Sequence, residues 1–541
     1  MAAEKGEICI MAGVIDFFDR GWRINPHGVA YHMDGKDFTF TEIGELSCRI
    51  ANALLAAGFK KETKGAVWSL NHTRSWTCTL SLFRAGLAWI PVNPRSPLEE
   101  NNFILESFDA EVIFFTKYFA KEALSLKDKL PKVKLWICID DAVEGAISLE
   151  DFIKNQPSTP PEIIYEPDDV VAVMPTGGTT GKIKGVMNTN RSVSTFCMNF
   201  LTAIFYPNDE YPVNLAAAPM THTAGALSLP CSARGGKVVI ITKPEPKAVF
   251  EAIAKQRVTE FFLPPTVIYR LLDELPPIKM FLGKLLKKID FSSVKYLCYG
   301  AAPMSVEKLK KALKMFGPIM VGGYGQTEAP AGISTFRPEE HFQGGIGKVL
   351  ANDSRLASVG RPQMLTKVEI MDENNNILPT GQTGEICVRG DILMKGYYKD
   401  PEKTAETIID GWLHTGDIGR IDEEGYIYIT DRKKDMIISG GFNIYPQEVE
   451  QVLWGHPAIS DCAVIGVPDE KWGEAVKAVV ELKPGKSVTP EELIALCKEK
   501  LGSVKAPKTV DITSALPRST NGKVLKKDLR AEYWKGITRN I

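Results

Sequence analysis

Short apolar runs alternate with amphipathic helical patterns over about the first 300 residues, which points to α/β layers built on mostly parallel sheets. Thr39-Phe40-Thr41-Glu42 is a capping box, after which Ile43, Leu46, Ile50 and Leu54 recur at helical spacing until Gly58. Strand-like runs fall at 66–70, 112–115, 135–139, 170–174, 238–241 and 296–298. Past about residue 360 the texture changes to short strands with Gly, Asn and Asp turns, at 368–371, 384–388 and 425–429, which reads as a smaller β-rich subdomain. Near the end, Tyr445-Pro446-Gln447-Glu448 opens a helix and Thr489-Pro490-Glu491-Glu492 is a second capping box, so a separate α+β module of about 105 residues is expected. The charged cluster Asp431-Arg432-Lys433-Lys434-Asp435 is its boundary.

With 65 Lys plus Arg against 66 Asp plus Glu and 44% apolar residues, the 541-residue chain has material for a large core and a net charge of −1. That charge offers no field for capturing nucleic acid or anionic lipid. No stretch approaches the roughly 20 apolar residues that span a bilayer. Ten cysteines lie far apart, without a C-x-x-C pair or a neighbouring His at metal-ligand spacing, as expected of reduced thiols in a cytoplasmic protein.

The richest chemistry lies in Pro175-Thr176-Gly177-Gly178-Thr179-Thr180-Gly181-Lys182-Ile183-Lys184-Gly185, directly after the apolar run 170–174. Glycines let backbone N–H groups approach phosphate oxygens, and the Thr hydroxyls and Lys184 add donors and charge, as a triphosphate cradle requires. A plain turn connector has no need of three threonines and two lysines among four glycines. The spacing weighs against a Walker A loop: only three residues separate Gly177 from Gly181, and Ile183 follows Lys182.

This segment resembles the phosphate loop of the adenylate-forming superfamily, which includes acyl-CoA synthetases, amino-acid adenylation domains and luciferases. The superfamily's other motifs follow in order over essentially the whole chain. Pro219-Met220-Thr221-His222-Thr223-Ala224-Gly225 is similar to its substrate-side loop, Tyr299-Gly300-Ala301-Ala302-Pro303 to its adenine and acyl-pocket strand end, and Gly322-Gly323-Tyr324-Gly325-Gln326-Thr327-Glu328 to its Y-G-x-T-E signature. Gly384-Glu385-Ile386, Gly396-Tyr397, Trp412-Leu413-His414-Thr415-Gly416-Asp417, the Asp431 to Asp435 cluster, Ser439-Gly440-Gly441-Phe442-Asn443 and Asn521-Gly522-Lys523 complete the set.

The resemblance implies a two-step enzyme: a carboxylate attacks the α-phosphorus of ATP, pyrophosphate leaves, and the thiol of coenzyme A then opens the acyl-adenylate. It implies a large N-terminal domain, 1–433, of two α/β-layered subdomains plus the β-rich one, and a small mobile C-terminal domain, 434–541. ATP would lie on Thr176, Gly177, Gly178, Thr179, Thr180, Gly181 and Lys184, with Glu328 and Thr176 holding Mg²⁺ and Thr327 reaching the α-phosphate. Gly300, Gly322 and Gly323 would leave room for adenine to stack on the Tyr324 ring, Ala301, Ala302 and Gly325 would join them in binding the nucleotide, and Asp417 and Arg432 would hold the ribose. Lys523 is the implied catalytic lysine, Lys434 the hinge, and Gly440, Gly441 and Asn443 the lining of a pantetheine tunnel. His222 would gate the acyl pocket rather than act as a general base. Many members carry lysines where this chain has Ile438 and Gly440, so the CoA phosphate contacts stay open.

No Asp or Glu occurs from Pro219 to Gly235 to pair a substrate ammonium, which favours an acid without an α-amino group. Leu227, Leu229, Ala301, Ala302, Ala329 and Pro330 favour a hydrophobic one, fatty, cyclic or aromatic. The partners are therefore small molecules, acid, ATP and CoA, taken by a monomer or homodimer. Three alternatives stand beside the CoA ligase: an acyl-AMP ligase loading a carrier protein, a non-catalytic nucleotide-binding regulator, and a luciferase-type oxygenase sharing the first half-reaction.

Overall fold

The computed structural model describes residues 13–177, 183–243, 245–274, 291–440, 442–519 and 523–535. Two large sheets carry most of the chain. One has nine strands: Met320–Gln326, Tyr296–Gly300, Glu260–Leu263, Val213–Ala216, Lys237–Ile240 and Val29–Met33 run parallel, and antiparallel strands close both edges. The other has eight, with Val170–Gly177, Ala88–Pro91, Lys64–Trp68, Ala110–Phe115 and Leu135–Cys138 parallel and Ile183–Thr189 folding back antiparallel on the first of these. Val170, Val171, Ala172 and Val173 are all buried, as a strand covered on both faces requires.

Local chemistry sets the helix ends as expected. Glu42 N donates to Thr39 Oγ1 at 3.2 Å and Thr39 N to Glu42 Oε2 at 2.7 Å, opening the helix Phe40–Ala56. Gly58, at φ +86°, closes it. Thr489 and Glu492 exchange the same pair of bonds at the head of Pro490–Lys505.

The β-rich subdomain is a five-stranded antiparallel sheet including Gly384–Arg389, Trp412–Ile421 and Ile427–Arg432. The strand expected at 425–429 starts two residues later. Asp422 Oδ1 accepts from the N–H groups of Glu424 and Tyr426, and the turn this makes consumes Gly425.

One continuous apolar core links both large sheets to the β-rich sheet, joining Phe18, Val67, Val238, Tyr324, Ile386 and Leu413. After Arg432 a single 3-10 turn, Lys433–Asp435, leads into a second five-stranded sheet with a core of its own, including Ile437, Val449, Val464, Val476 and Cys497. The chain is thus a large mixed α/β N-terminal domain followed by a small C-terminal one. Among the described residues no helix is long and apolar enough to cross a membrane.

Candidate active site

A cavity of about 890 Å³ opens where the two large sheets, the β-rich sheet and the inter-domain turn meet. The strands Val170–Gly177 and Ile183–Thr189 form the arms of a hairpin that carries the Gly-Thr loop. Thr176 pairs with Lys184 across it, so both side chains project from one face, and both line the cavity. Gly177 ends the first arm. Gly178, Thr179, Thr180 and Gly181 lie outside the described residues, as does Gly441.

Next to this hairpin the parallel strands Tyr296–Gly300 and Met320–Gln326 end side by side, with Gly300 opposite Gly323. A Cβ on Gly300 would lie 2.4 Å from Gly323 O, so only glycine lets these ends approach. Gly322, Gly323 and Gly325 line the cavity with Ala301, whose φ of +65° is a strained backbone for a residue with a Cβ. Ala302 follows Ala301 but is not part of the wall. Tyr324 is also off the wall: its ring is buried in the core, and its phenol donates to Asp417 Oδ2 at 2.6 Å. Asp417, 5% exposed, lies behind the wall with Oδ1 3.4 Å from Arg432 Nε, and Arg432 reaches the cavity.

Thr327 and Glu328 line the cavity between these strand ends and the hairpin. Glu328 Oε1 accepts from the Tyr397 phenol at 2.8 Å, and Lys184 Nζ lies 5.0 Å from the centre of the same ring. Burial, then repulsion from Lys403, holds the Lys184 ammonium below its usual range.

Lys523 comes from the small domain. Ser519 N donates to Lys523 O at 2.8 Å and Lys523 N to Ser519 Oγ at 3.2 Å. Lys523 is exposed to solvent and does not line the cavity, and the charges it feels are those of Arg432, Asp417, Lys434 and Asp435. Loss of hydration, then repulsion from Arg432, brings its ammonium down to about 8. Lys434 is lowered for the same two reasons. Arg432 and Lys434 thus line the cavity beside the inter-domain turn, and Lys523, which is not part of the wall, is close enough to feel both, an arrangement that suits phosphate and carboxylate oxygens. Gly440 and Asn443 stand apart on the hairpin Ile437–Ser439 and Phe442–Ile444, where Gly440 N donates to Trp472 O at 2.8 Å, and neither lines the cavity.

The other end of the cavity is apolar. The helix Asn190–Ala203 offers Val193, Phe196, Phe200 and Ala203, a stripe about 15 Å long at 1.5 Å per residue. Trp76, Phe83 and Trp89, packed edge to face with centroids 5.8 and 6.3 Å apart, form part of the wall. Leu227, Leu229, Ala301 and Pro330 line it as expected; Ala302 and Ala329 do not, Ala329 being fully buried in the core. His222 also lines the cavity, its Nδ1 2.9 Å from Thr221 Oγ1, and burial pulls its imidazole down to about 4, so it is neutral at pH 7.

The sequence motifs contained Tyr397, Glu385 and His414 without disclosing their contacts. Glu385 Oε1 accepts from Gly416 N at 2.9 Å, and its Oε2 lies 3.4 Å from His414 Nδ1 and 3.5 Å from Lys433 Nζ, bracing the loop before Asp417. The aromatic trio of Trp76, Phe83 and Trp89 carried no signal at all, since period and burial alone mark such residues as core.

The model of the AMP-binding enzyme family matches residues 18–398, and that of the AMP-binding enzyme C-terminal domain matches residues 448–523. A medium/long-chain-fatty-acid–CoA ligase of Mycobacterium tuberculosis is 36% identical over 83% of this chain and 78% of its own. A feruloyl-CoA synthase of an Amycolatopsis species is 35% identical over 94% of this chain and 97% of its own. Among solved structures, the amide bond synthetase McbA from Marinactinospora thermotolerans superposes with a TM-score of 0.85 at 28% identity, covering 96% of this chain and all of that one. ATP-bound MatB from Rhodopseudomonas palustris superposes with a TM-score of 0.84 at 26% identity over 96% of this chain and 99% of its own. With its order of motifs, its two-domain fold and a family model matching most of its length, the chain belongs to the AMP-binding enzymes, the adenylate-forming superfamily.

Proposed function

We propose that the protein is an ATP-dependent acid–CoA ligase for a hydrophobic carboxylic acid. The acid and ATP give acyl-AMP and pyrophosphate; acyl-AMP and CoA then give acyl-CoA and AMP. The observation that carries this reading is one cavity that joins Thr176 and Lys184 of the Gly-Thr hairpin and Arg432 and Lys434 of the inter-domain turn to an apolar end walled by Trp76, Phe83, Trp89 and the helix Asn190–Ala203. A fatty-acid ligase and a feruloyl-CoA synthase among the relatives support a CoA thiol as acceptor and a hydrophobic acyl group.

In the first step Thr176, Lys184 and the hairpin backbone hold the triphosphate, while Arg432, oriented from behind the wall by Asp417, reaches the ribose. The Lys523 ammonium sits between the attacking carboxylate and the α-phosphate, reducing their repulsion and fixing the line of attack. Glu328 and Thr176 offer the hard oxygen donors that fit Mg²⁺. When bound, that ion withdraws charge from the phosphate oxygens. Neutral His222 contacts the acyl end, and the aromatic wall keeps water from an anhydride that water would hydrolyse. For the second step, the small domain, beginning at Lys434, turns about that residue; Lys523 withdraws, and Gly440, Gly441 and Asn443 come in to line the path of the thiol. A cytoplasmic setting accords with the nine free cysteines among the described residues.

The test is release of pyrophosphate and AMP from MgATP with short, long, cyclic and aromatic acids, each with and without CoA. AMP turnover that requires both a hydrophobic acid and CoA is expected. Pyrophosphate release that CoA leaves unchanged would instead identify a carrier-protein acceptor, and no release with any acid would overturn the reading.

A further inference from the structure

Tyr397 lies where three parts of the phosphate end meet. It belongs to the short strand Gly396–Tyr397, which pairs antiparallel with Ile183–Thr189, the hairpin arm that carries Lys184. Its N–H donates to Thr404 Oγ1 at 2.9 Å, and Thr404 Oγ1 donates in turn to Asp400 O at 2.8 Å, so its backbone is tied to the helix Pro401–Thr407. The backbone of Glu328 is tied to the same segment, since Met394 N donates to Glu328 O at 2.8 Å. Both ends of the contact between the Tyr397 phenol and Glu328 Oε1 are therefore fixed before any ligand arrives.

What this contact prevents matters as much as what it holds. Lys184 and Glu328 are close enough for each charge to act on the other, yet among the described residues no ion pair joins them. The Lys184 ammonium lies over the Tyr397 ring instead, and the carboxylate is bound at the ring's hydroxyl. An ion pair between the two would neutralise a phosphate-binding cation and occupy a metal-binding anion at once.

We propose that Tyr397 is a positioning residue: its phenol holds Oε1 of Glu328 and its ring holds Lys184, which keeps the two apart and leaves the second carboxylate oxygen for the divalent cation of MgATP. This builds on the ATP half of the proposed function and on no choice of acid.

The experiment compares the full-length wild type with Tyr397→Phe, which keeps the ring and removes only the hydroxyl. Nucleotide binding is followed by calorimetry at fixed ATP while Mg²⁺ is varied, and Mn²⁺ binding in the presence of ATP by electron paramagnetic resonance. The divalent-ion concentration for half-saturation is expected to rise about tenfold, the lower end of what losing such an outer partner costs a metal site. ATP affinity in EDTA is expected to stay within about twofold, since the Lys184 contact with the ring is kept. On a Glu328→Gln background, Tyr397→Phe is expected to add no further loss of metal affinity, because the two act through one contact. An unchanged metal dependence, an equal loss of ATP affinity with and without metal, or additive effects in the double variant would each overturn the proposal. A wild type that binds no MgATP would defeat the ATP site itself, an outcome distinct from all three.

Discussion

The role proposed for Lys523 needs its charge, in a place that disfavours that charge. Loss of hydration and the nearby Arg432 hold its ammonium near 8, so at pH 7 it is mostly protonated, and the charge disappears as the pH rises through that value. The kcat/KM for adenylation should therefore show an alkaline limb with a midpoint near 8 in the free enzyme. Arg432→Gln removes a repelling cation and should move that midpoint upward even while it weakens ATP binding; a limb that stayed in place would assign it to another group. Lys523→Ala should nearly abolish acyl-AMP formation while thioester formation from supplied acyl-AMP stays largely intact. Comparable losses in the two half-reactions would remove Lys523 from the first step.

At the scale of elements, the site depends on how closely strand ends approach. Gly300 and Gly323 sit opposite each other, and a methyl group on Gly300 would push into the Gly323 carbonyl. Gly300→Ala should cost roughly 1–3 kcal/mol of overpacking strain. It should lower the melting temperature and raise the KM for ATP with less effect on the KM for the acid. Wild-type values of both melting temperature and ATP KM would show that the two strands can part freely. Such a contact is half legible in the sequence: the glycines stand out as motif residues, but nothing in either segment says that they face each other. The capping boxes at Thr39 and Thr489 were legible in full, because both partners lie within one turn of helix. The strand expected at 425–429 was misplaced because the Asp422 turn depends on side-chain hydrogen bonds that composition does not reveal. The bond from Tyr397 to Glu328 spans 69 residues and the one from Tyr324 to Asp417 spans 93, and no periodicity reports pairs that tertiary folding alone brings together. The aromatic wall was invisible for a related reason: a buried Trp facing a cavity has the same pattern as one facing other core residues.

The two domains differ in how firmly they are joined, and the reaction should follow from that difference. Each has its own apolar core, whereas the contacts across the seam are polar and some are long. Gln451 Nε2 donates to Met304 O and Val306 N to Gln451 Oε1, both at 3.4 Å, while Asp431 Oδ2 accepts from Gln447 N at 2.7 Å at the head of the helix Pro446–Trp454. The charged pairs nearest the turn, Arg530 with Asp435 and Lys526 with Glu450, join residues that all follow Lys434, so a rotation about Lys434 carries them along unbroken. Apart from the bond from Gln447 to Asp431 and the attraction of Lys526 for Asp431, little has to be given up, then, for the small domain to leave the pose seen here. Lys434 itself lies in the 3-10 turn Lys433–Asp435, whose usual φ is close to the value that proline fixes. Lys434→Pro should therefore be tolerated in the pose seen here and resist the backbone rotation that leads out of it. Thioester formation from supplied acyl-AMP and CoA should fall by a factor of ten or more relative to acyl-AMP formation, by the arithmetic that 1.4 kcal/mol is tenfold. Thermal unfolding would report separately whether the turn accepts the ring. Equal loss of both half-reactions in a protein that melts normally, or CoA transfer at the wild-type rate, would place the pivot elsewhere in the chain.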